Sequence, residues 1–289
     1  MRNKDEETNV ITNERCFDKF NPLPRILYHA DFDTGYNGFT ETIGNYEGTL
    51  DEIIPEMADF RPPQLSNRPM WDTGSAGSLD GTYALKLATR PRRGSVAVCT
   101  KRLVWTAPTR IRMETWFGFK SEATELRVSD KDVRGFGFVL DLQDDRVRML
   151  PRVRYLHAKD GVAIGKWQIK VEGPPKRDIG GAGETVSYNH YSDDGYADVP
   201  GGSHETCFNE LATKMNWHYL AVTFNLRSMR FETIRCNDIV MDASTIVPFA
   251  LSPMPNLRGL LNTIFFVESD VDKRAFLYMD SILYSVEAH

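Results

Sequence analysis

Residues Asn216–Asp242, "NWHYLAVTFNLRSMRFETIRCNDIVMD", decide the fold class. Leu220, Val222 and Phe224 recur at every second position, the period of a strand with one buried face. The polar "NLRS" that follows is a turn signal, Phe231 restarts the alternation, and Asn237-Asp238 marks a second turn. Turns this closely spaced leave no room for a helix.

The same beat extends in both directions. "RILYHADF" sets Ile26, Tyr28, Ala30 and Phe32 on one side, and "TYALKLAT" sets Tyr83, Leu85 and Leu87 together. "SVAVCTKRL", "RIRMETWFGF", "GFGFVLDL", "RVRMLPRVRYL", "KWQIKVE", "NTIFFVE" and "FLYMDSILYSV" read the same way between turn residues. One window, His204–Met215, has helical spacing, through Phe208, Leu211 and Met215. Many short strands without alternating helices predict an all-β fold of two packed antiparallel sheets. Residues 1–25 are polar and end in "NPLPR", which predicts an arm; residues 26–289 read as one sandwich domain. Two irregular stretches interrupt it: Arg61–Asp80, and a Gly-, Pro- and Ser-rich loop at about 172–206 carrying Tyr188, His190, Tyr191, Tyr196 and His204. Loops this long in a compact domain are usually functional or disordered.

Composition narrows the function classes. A chain of 289 residues buries roughly three quarters of its unfolded surface and needs no staple. The net charge of −5 supplies no positive field for phosphates, so a nucleic-acid partner is not expected. No apolar run approaches the roughly 18 residues of a membrane span, so no membrane partner is expected either. "MRNKDEETNV" has no apolar core of a secretory signal, which makes the cytoplasm the expected compartment. Cys16, Cys99, Cys207 and Cys236 lack C-x-x-C spacing and read as buried free thiols, with a disulfide or metal cluster as the alternative. The sequence does not specify an oligomeric state.

"WHYLAVTF", its hairpin partner and "NDIV" resemble the late strands of the concanavalin A-like lectin/glucanase superfamily, especially its laminin-G-like members. "ADFDTGYNGFTE" (Ala30–Glu41) is similar to that superfamily's first strand, and "SLDGTYALKLAT" (Ser78–Thr89) to the strand after it. "FLYMDSILYSVE" (Phe276–Glu287) is similar to its last strand. The resemblance implies a jelly-roll sandwich whose concave sheet cradles an extended ligand. It leaves three functions open: carbohydrate binding, glycoside hydrolysis or polysaccharide lysis, and a laminin-G-like protein-interaction module.

Parity then nominates a site. In "TRIRMETWFGFK", Ile111, Met113, Phe117 and Phe119 point inward, leaving Arg110, Arg112, Glu114 and Trp116 outward. By the same rule Asp141 and Gln143 face outward, as do Arg146 and Arg148, then Arg152 and Arg154 beyond Pro151. If these strands are neighbours, one face offers a Trp116 platform for a sugar ring with arginines and carboxylates around it. Clustered arginines favour an acidic or uronate-containing glycan. The competing account is an exposed face with cross-strand ion pairs, each worth under about 1 kcal/mol. Tyr188, His190 and Tyr191 are candidates to close over the ligand.

Glu114 and Asp141 are the candidate catalytic pair, since glycoside hydrolysis needs two carboxyl groups. The E-x-D-x-E-like run of the superfamily's glucanases is absent. "RMETW" and "WQIK" echo its alginate lyases, with Lys170 where those have a histidine. His29 and His218 form no zinc spacing, and "GGAGE" (Gly180–Glu184) opens no helix for a nucleotide. The resemblance also implies one structural calcium ion, with Asp33 and Asp280 as ligands beside the Asp80-Gly81 turn. Plain turn-stabilising duty is the alternative for these aspartates.

Overall fold

A computed structural model describes residues 17–40, 62–67, 77–122, 131–173, 176–178, 186–188, 193–207 and 215–288. They form two main antiparallel sheets, as the alternation predicts. One has eight strands, ordered Ile239–Asp242, Arg230–Cys236, His218–Asn225, Arg110–Ser121, Ala275–Val286, Ala84–Ala88 and Gln64–Ser66, with Arg25–Ala30 also paired to 275–286. The other has nine, ordered Tyr196–Ser203, Val162–Lys170, Arg152–Lys159, Val133–Gln143, Leu260–Ser269, Val96–Val104 and Phe39–Thr40, with Arg148–Met149 and Ala250–Leu251 beside its middle. Lys176–Asp178 and Val186–Tyr188 pair as a separate short hairpin. No helix long and apolar enough to cross a membrane occurs among the described residues. Of the predicted helical window, residues 208–214 lie outside the described residues and its ends are not helical.

The core lies between the sheets, where their inward beats meet. Phe117 and Phe119 of one sheet pack on Phe136 of the other, with ring centroids 4.9 and 4.8 Å apart. Leu220, Val222 and Phe224 join the same cluster, so the beat of the 216–242 stretch is a core beat. Cys99 and Cys236 are free thiols buried in this core, while Cys207 is exposed.

Two features redirect side chains. The 275–286 strand is bulged between Asp280 and Leu283, with Ser281 at φ 54°. The extra residue flips the parity: Leu277 and Met279 are core before it, Ile282 and Tyr284 after it. In the nine-stranded sheet, Gly137 lies where a Cβ would meet the Val153 carbonyl oxygen at 2.0 Å, so only glycine admits the adjoining strand that closely.

Strand adjacency corrects the expected site. Arg110–Ser121 pairs with His218–Asn225 and Ala275–Val286, whereas Val133–Gln143 pairs with Arg152–Lys159 and Leu260–Ser269. Arg110–Ser121 and Val133–Gln143, though successive in the chain, therefore belong to opposite sheets. With both inner faces buried against each other, their outward side chains point away from each other.

Candidate functional site

The outer face of the eight-stranded sheet carries an aromatic pair at its centre. Trp116 and Tyr219 are direct cross-strand partners, with ring centroids 5.4 Å apart. Residues 17–23 of the arm lie on this face. Phe17 and Phe20 pack with Trp116, Tyr219, Ala221 and Leu283, and the Leu23 amide donates to Ser285 Oγ at 2.9 Å.

Beneath the arm lies Glu114, 0% exposed. Its Oε1 accepts the Asn21 amide at 2.7 Å and the Tyr219 hydroxyl. Burying a carboxylate demands such donors, so Glu114 ties the arm to the Tyr219 strand. Burial, reinforced by the Glu114 hydrogen bond and charge, pushes the Tyr219 phenol far above its ordinary range. Tyr219 thus stays protonated and donates.

Next to the pair opens a cleft of about 800 Å³. Its walls are Asp18–Asn21 of the arm, Trp217 and His218 at the start of their strand, and the Arg235–Asp238 hairpin end. Asn237 holds the hairpin in place at φ 52°, a left-handed conformation that asparagine tolerates. Its Oδ1 accepts the Tyr219 amide at 3.0 Å, and its own amide donates to the Tyr219 carbonyl at 2.8 Å. Its side-chain Nδ2 donates to His218 Nδ1 at 3.0 Å, and His218 Nε2 donates to the Cys207 carbonyl at 2.6 Å. Those partners fix the Nε2–H tautomer, and burial lowers the His218 pKa, keeping the ring neutral. Arg235 lies 5.5 Å over the Tyr219 ring and donates Nε–H to the Asn237 carbonyl at 2.7 Å. The floor is therefore rigid, and its titratable groups serve as hydrogen-bonding fixtures. Flat aromatic surface beside amide and guanidinium donors suits a ligand with an apolar ring face and polar edges.

Of the residues nominated from sequence, Trp116 lines this cleft and Glu114 lies beneath the adjoining arm. Arg110 is paired at 3.0 Å with both Glu232 and Glu287. Arg112 bonds Thr223 Oγ1 at 3.2 Å and the Asn21 carbonyl at 2.5 Å. Asp141 is on the other sheet, held by Arg148 in a two-pronged pair at 2.8 and 3.1 Å. Arg146 closes a turn on Asp144 at 2.7 Å. The expected Glu114–Asp141 pair is not formed, because the two carboxylates occupy the outer faces of different sheets. Tyr188 falls on the short hairpin opposite Lys176, and its side chain lies outside the described residues, as do His190 and Tyr191.

The expected calcium site does not fit either. Asp33 Oδ1 accepts the Thr82 and Tyr83 amides at 2.6 and 2.9 Å, and Asp280 Oδ2 accepts the Leu79 and Asp80 amides at 2.7 and 3.1 Å. Asp80 pairs with Lys19. The groups facing these carboxylates are N–H donors, which repel a cation, and no trio of His, Cys, Asp or Glu able to hold one exists among the described residues. Both aspartates clamp the 79–83 turn from its two ends.

The nine-stranded sheet bears a separate charged cluster on its outer face. Asp193 accepts Arg154 Nη1 at 2.7 Å and Lys159 Nζ at 3.1 Å, and also pairs with Arg134. Arg134 in turn pairs with Asp270 at 2.9 Å and Glu268 at 3.3 Å. Lys170 of the "WQIK" echo is buried here, its pKa pushed down to about 8 by burial and then by Arg152 and Arg154.

Sequence reasoning missed Trp217, Tyr219, Arg235 and Asn237. The signal was present, since Trp217 and Tyr219 occupy the off-beat of the very strand whose core beat gave the fold.

Among solved structures, the carbohydrate recognition domain of Emp47p is similar at 9% identity and TM-score 0.42, covering 93% of this chain and 100% of that one. The cellulose induced protein Cip1 is similar at 11% identity and TM-score 0.43, covering 91% and 100%. A legume lectin-like domain from Entamoeba histolytica is similar at 9% identity and TM-score 0.41, covering 86% and 100%. Identities this low carry no residue-level correspondence. No curated protein matches the chain. A family match does extend over residues 7–288, nearly the whole sandwich with its arm, and the chain accordingly belongs to the family described as domain of unknown function DUF6772.

Proposed function

We propose that the chain binds carbohydrate in the cleft beside Trp116 and Tyr219. The observation that carries this reading is the cross-strand aromatic pair at the edge of an open cleft of about 800 Å³ rimmed by Arg235, Asn237 and Asn21. A sugar ring offers an apolar face for stacking and hydroxyls for the surrounding donors. A lipid pocket would not need that polar rim. The size falls within the range of small-ligand sites, roughly 300–1,000 Å³.

The ligand we infer carries an acidic residue such as a uronate. Arg110, Arg112, Arg146 and Arg148 are engaged elsewhere, so this preference rests on Arg235. Its Nε is used by the Asn237 carbonyl and its Nη2 faces the fully exposed Asp238 carboxylate at 3.9 Å, a long, solvent-screened pair that a ligand carboxylate can replace. Binding of neutral and uronate-containing oligosaccharides to the wild type, Trp116→Ala and Arg235→Ala, followed by calorimetry, tests both parts. Trp116→Ala is expected to weaken every binder by about 1–3 kcal/mol, and Arg235→Ala to weaken only the acidic ones. Unchanged affinity in Trp116→Ala would place the ligand elsewhere.

A further inference from the structure

The geometry points to a second subsite across Trp217, and hence to an oligosaccharide whose acidic residue is joined to a neutral one. A second cavity of about 400 Å³ lies next to the cleft, and Met215 and Trp217 line both. Trp217 is thus the shared wall of two compartments on one sheet face. It is held there by Phe276 and Tyr278, which project from the same outer face. The far wall is the 78–82 turn, with Ser78 and Thr82, the turn that Asp33 and Asp280 clamp through its amides. Lys19 lines the first cleft and pairs with Asp80 of that turn, so the arm ties the two compartments together.

The two compartments differ in charge. Asp18, Lys19, Arg235 and Asp238 line the first. Among the described residues, the second is lined only by uncharged ones: Asn67, Gly77, Ser78, Gly81 and Thr82 besides the shared pair. A carboxylate there would give up its hydration to hydroxyls and one amide, with no cation among the described lining residues in return. A neutral residue loses nothing comparable and can use the Ser78 and Thr82 hydroxyls. A mono- or disaccharide seated in the first compartment leaves the second unused, whereas a longer chain spanning Trp217 contacts both.

This rests on the carbohydrate reading, and the experiment separates the two. Two oligosaccharide series of two to six residues serve as probes, one alternating uronate with neutral N-acetylhexosamine and one of uronate alone. Each is titrated into the wild-type chain and into Thr82→Arg, which fills the second cavity. The expected result is at least a tenfold gain in affinity from dimer to tetramer in the alternating series, lost in Thr82→Arg, with dimer binding unchanged. Trp217→Phe, which keeps a ring in the shared wall, should retain most of that gain. Binding that is present but independent of length, or a length gain that survives Thr82→Arg, overturns the second subsite and leaves the carbohydrate reading standing. No binding of either series, with Thr82→Arg and wild type both folded by circular dichroism, overturns both.

Discussion

Asp280→Asn should stabilise the protein, and only above a defined pH. Asp280 is 0% exposed, and burial pushes its pKa from the ordinary 3.8 up to about 6, against the lowering pull of the Asp80 and Leu79 amides and of Lys19. At about 1.4 kcal/mol per pKa unit, keeping this group ionised costs the folded state about 3 kcal/mol at neutral pH. The sign follows from proton counting. Between about pH 4 and 6 the folded chain holds a proton that the unfolded chain has released. The contribution to stability is therefore fully present below pH 4 and lost as the pH rises through 6. Asparagine has the same shape, retains an oxygen acceptor for the Leu79 and Asp80 amides, and carries no charge. Its Nδ2 takes the place of Oδ1, 3.3 Å from the Ser281 hydroxyl, which can accept. Urea unfolding of both proteins at half-unit steps from pH 4 to 8 measures the difference. It should be near zero at pH 4 and rise to about 2–3 kcal/mol in favour of Asp280→Asn by pH 7. A flat difference across that range, or a variant less stable at pH 7, would refute the reasoning.

The same region and the arm give further expectations. Gly81→Ala puts a Cβ 1.8 Å from Asp33 Oδ2 at φ 73°, so it should displace the clamp on Thr82 and Tyr83 and cost about 3 kcal/mol in a urea titration. A melting temperature within experimental error of wild type would count against the clamp. Tyr219→Phe removes one of the two donors to buried Glu114 and should cost about 1.5–3 kcal/mol, with faster limited proteolysis near Asn21 as the arm loosens. Neither calcium nor a chelator should move the melting temperature, because amides and Lys19 already hold one oxygen of each of Asp33, Asp80 and Asp280. A chelator-dependent drop would restore the ion.

What could be read from the sequence was what repeats locally. Side-chain parity is fixed by the strand itself, so Phe117, Phe136, Leu220 and Val222 were assignable to the core one strand at a time. Which strands adjoin is a non-local matter. The Arg110–Ser121 strand finds its partners about a hundred and more residues later in the chain, and nothing in "RMETW" announces them. For that reason Trp116, expected on one face with Asp141 if their strands adjoin, is instead the cross-strand partner of Tyr219. The bulge after Asp280 shows where parity itself fails, since one inserted residue exchanges the faces of everything beyond it. The aspartates illustrate a different limit. An Asp beside an Asp-Gly turn suits a cation or a row of amides equally well in sequence, and only the direction of the N–H groups decides.

In the Asn216–Asp242 hairpin, two jobs are written on alternate letters. Leu220, Val222, Phe224 and Ile234 hold the sheets together, while Trp217, Tyr219, Arg235 and Asn237 shape the cleft. Changes at one set leave the other largely undisturbed, apart from Asn237, whose amide also anchors the hairpin to Tyr219. Recognition on this scaffold can thus diverge, or be redesigned, through a handful of outward positions and the length of one two-residue turn, with the interior inherited intact.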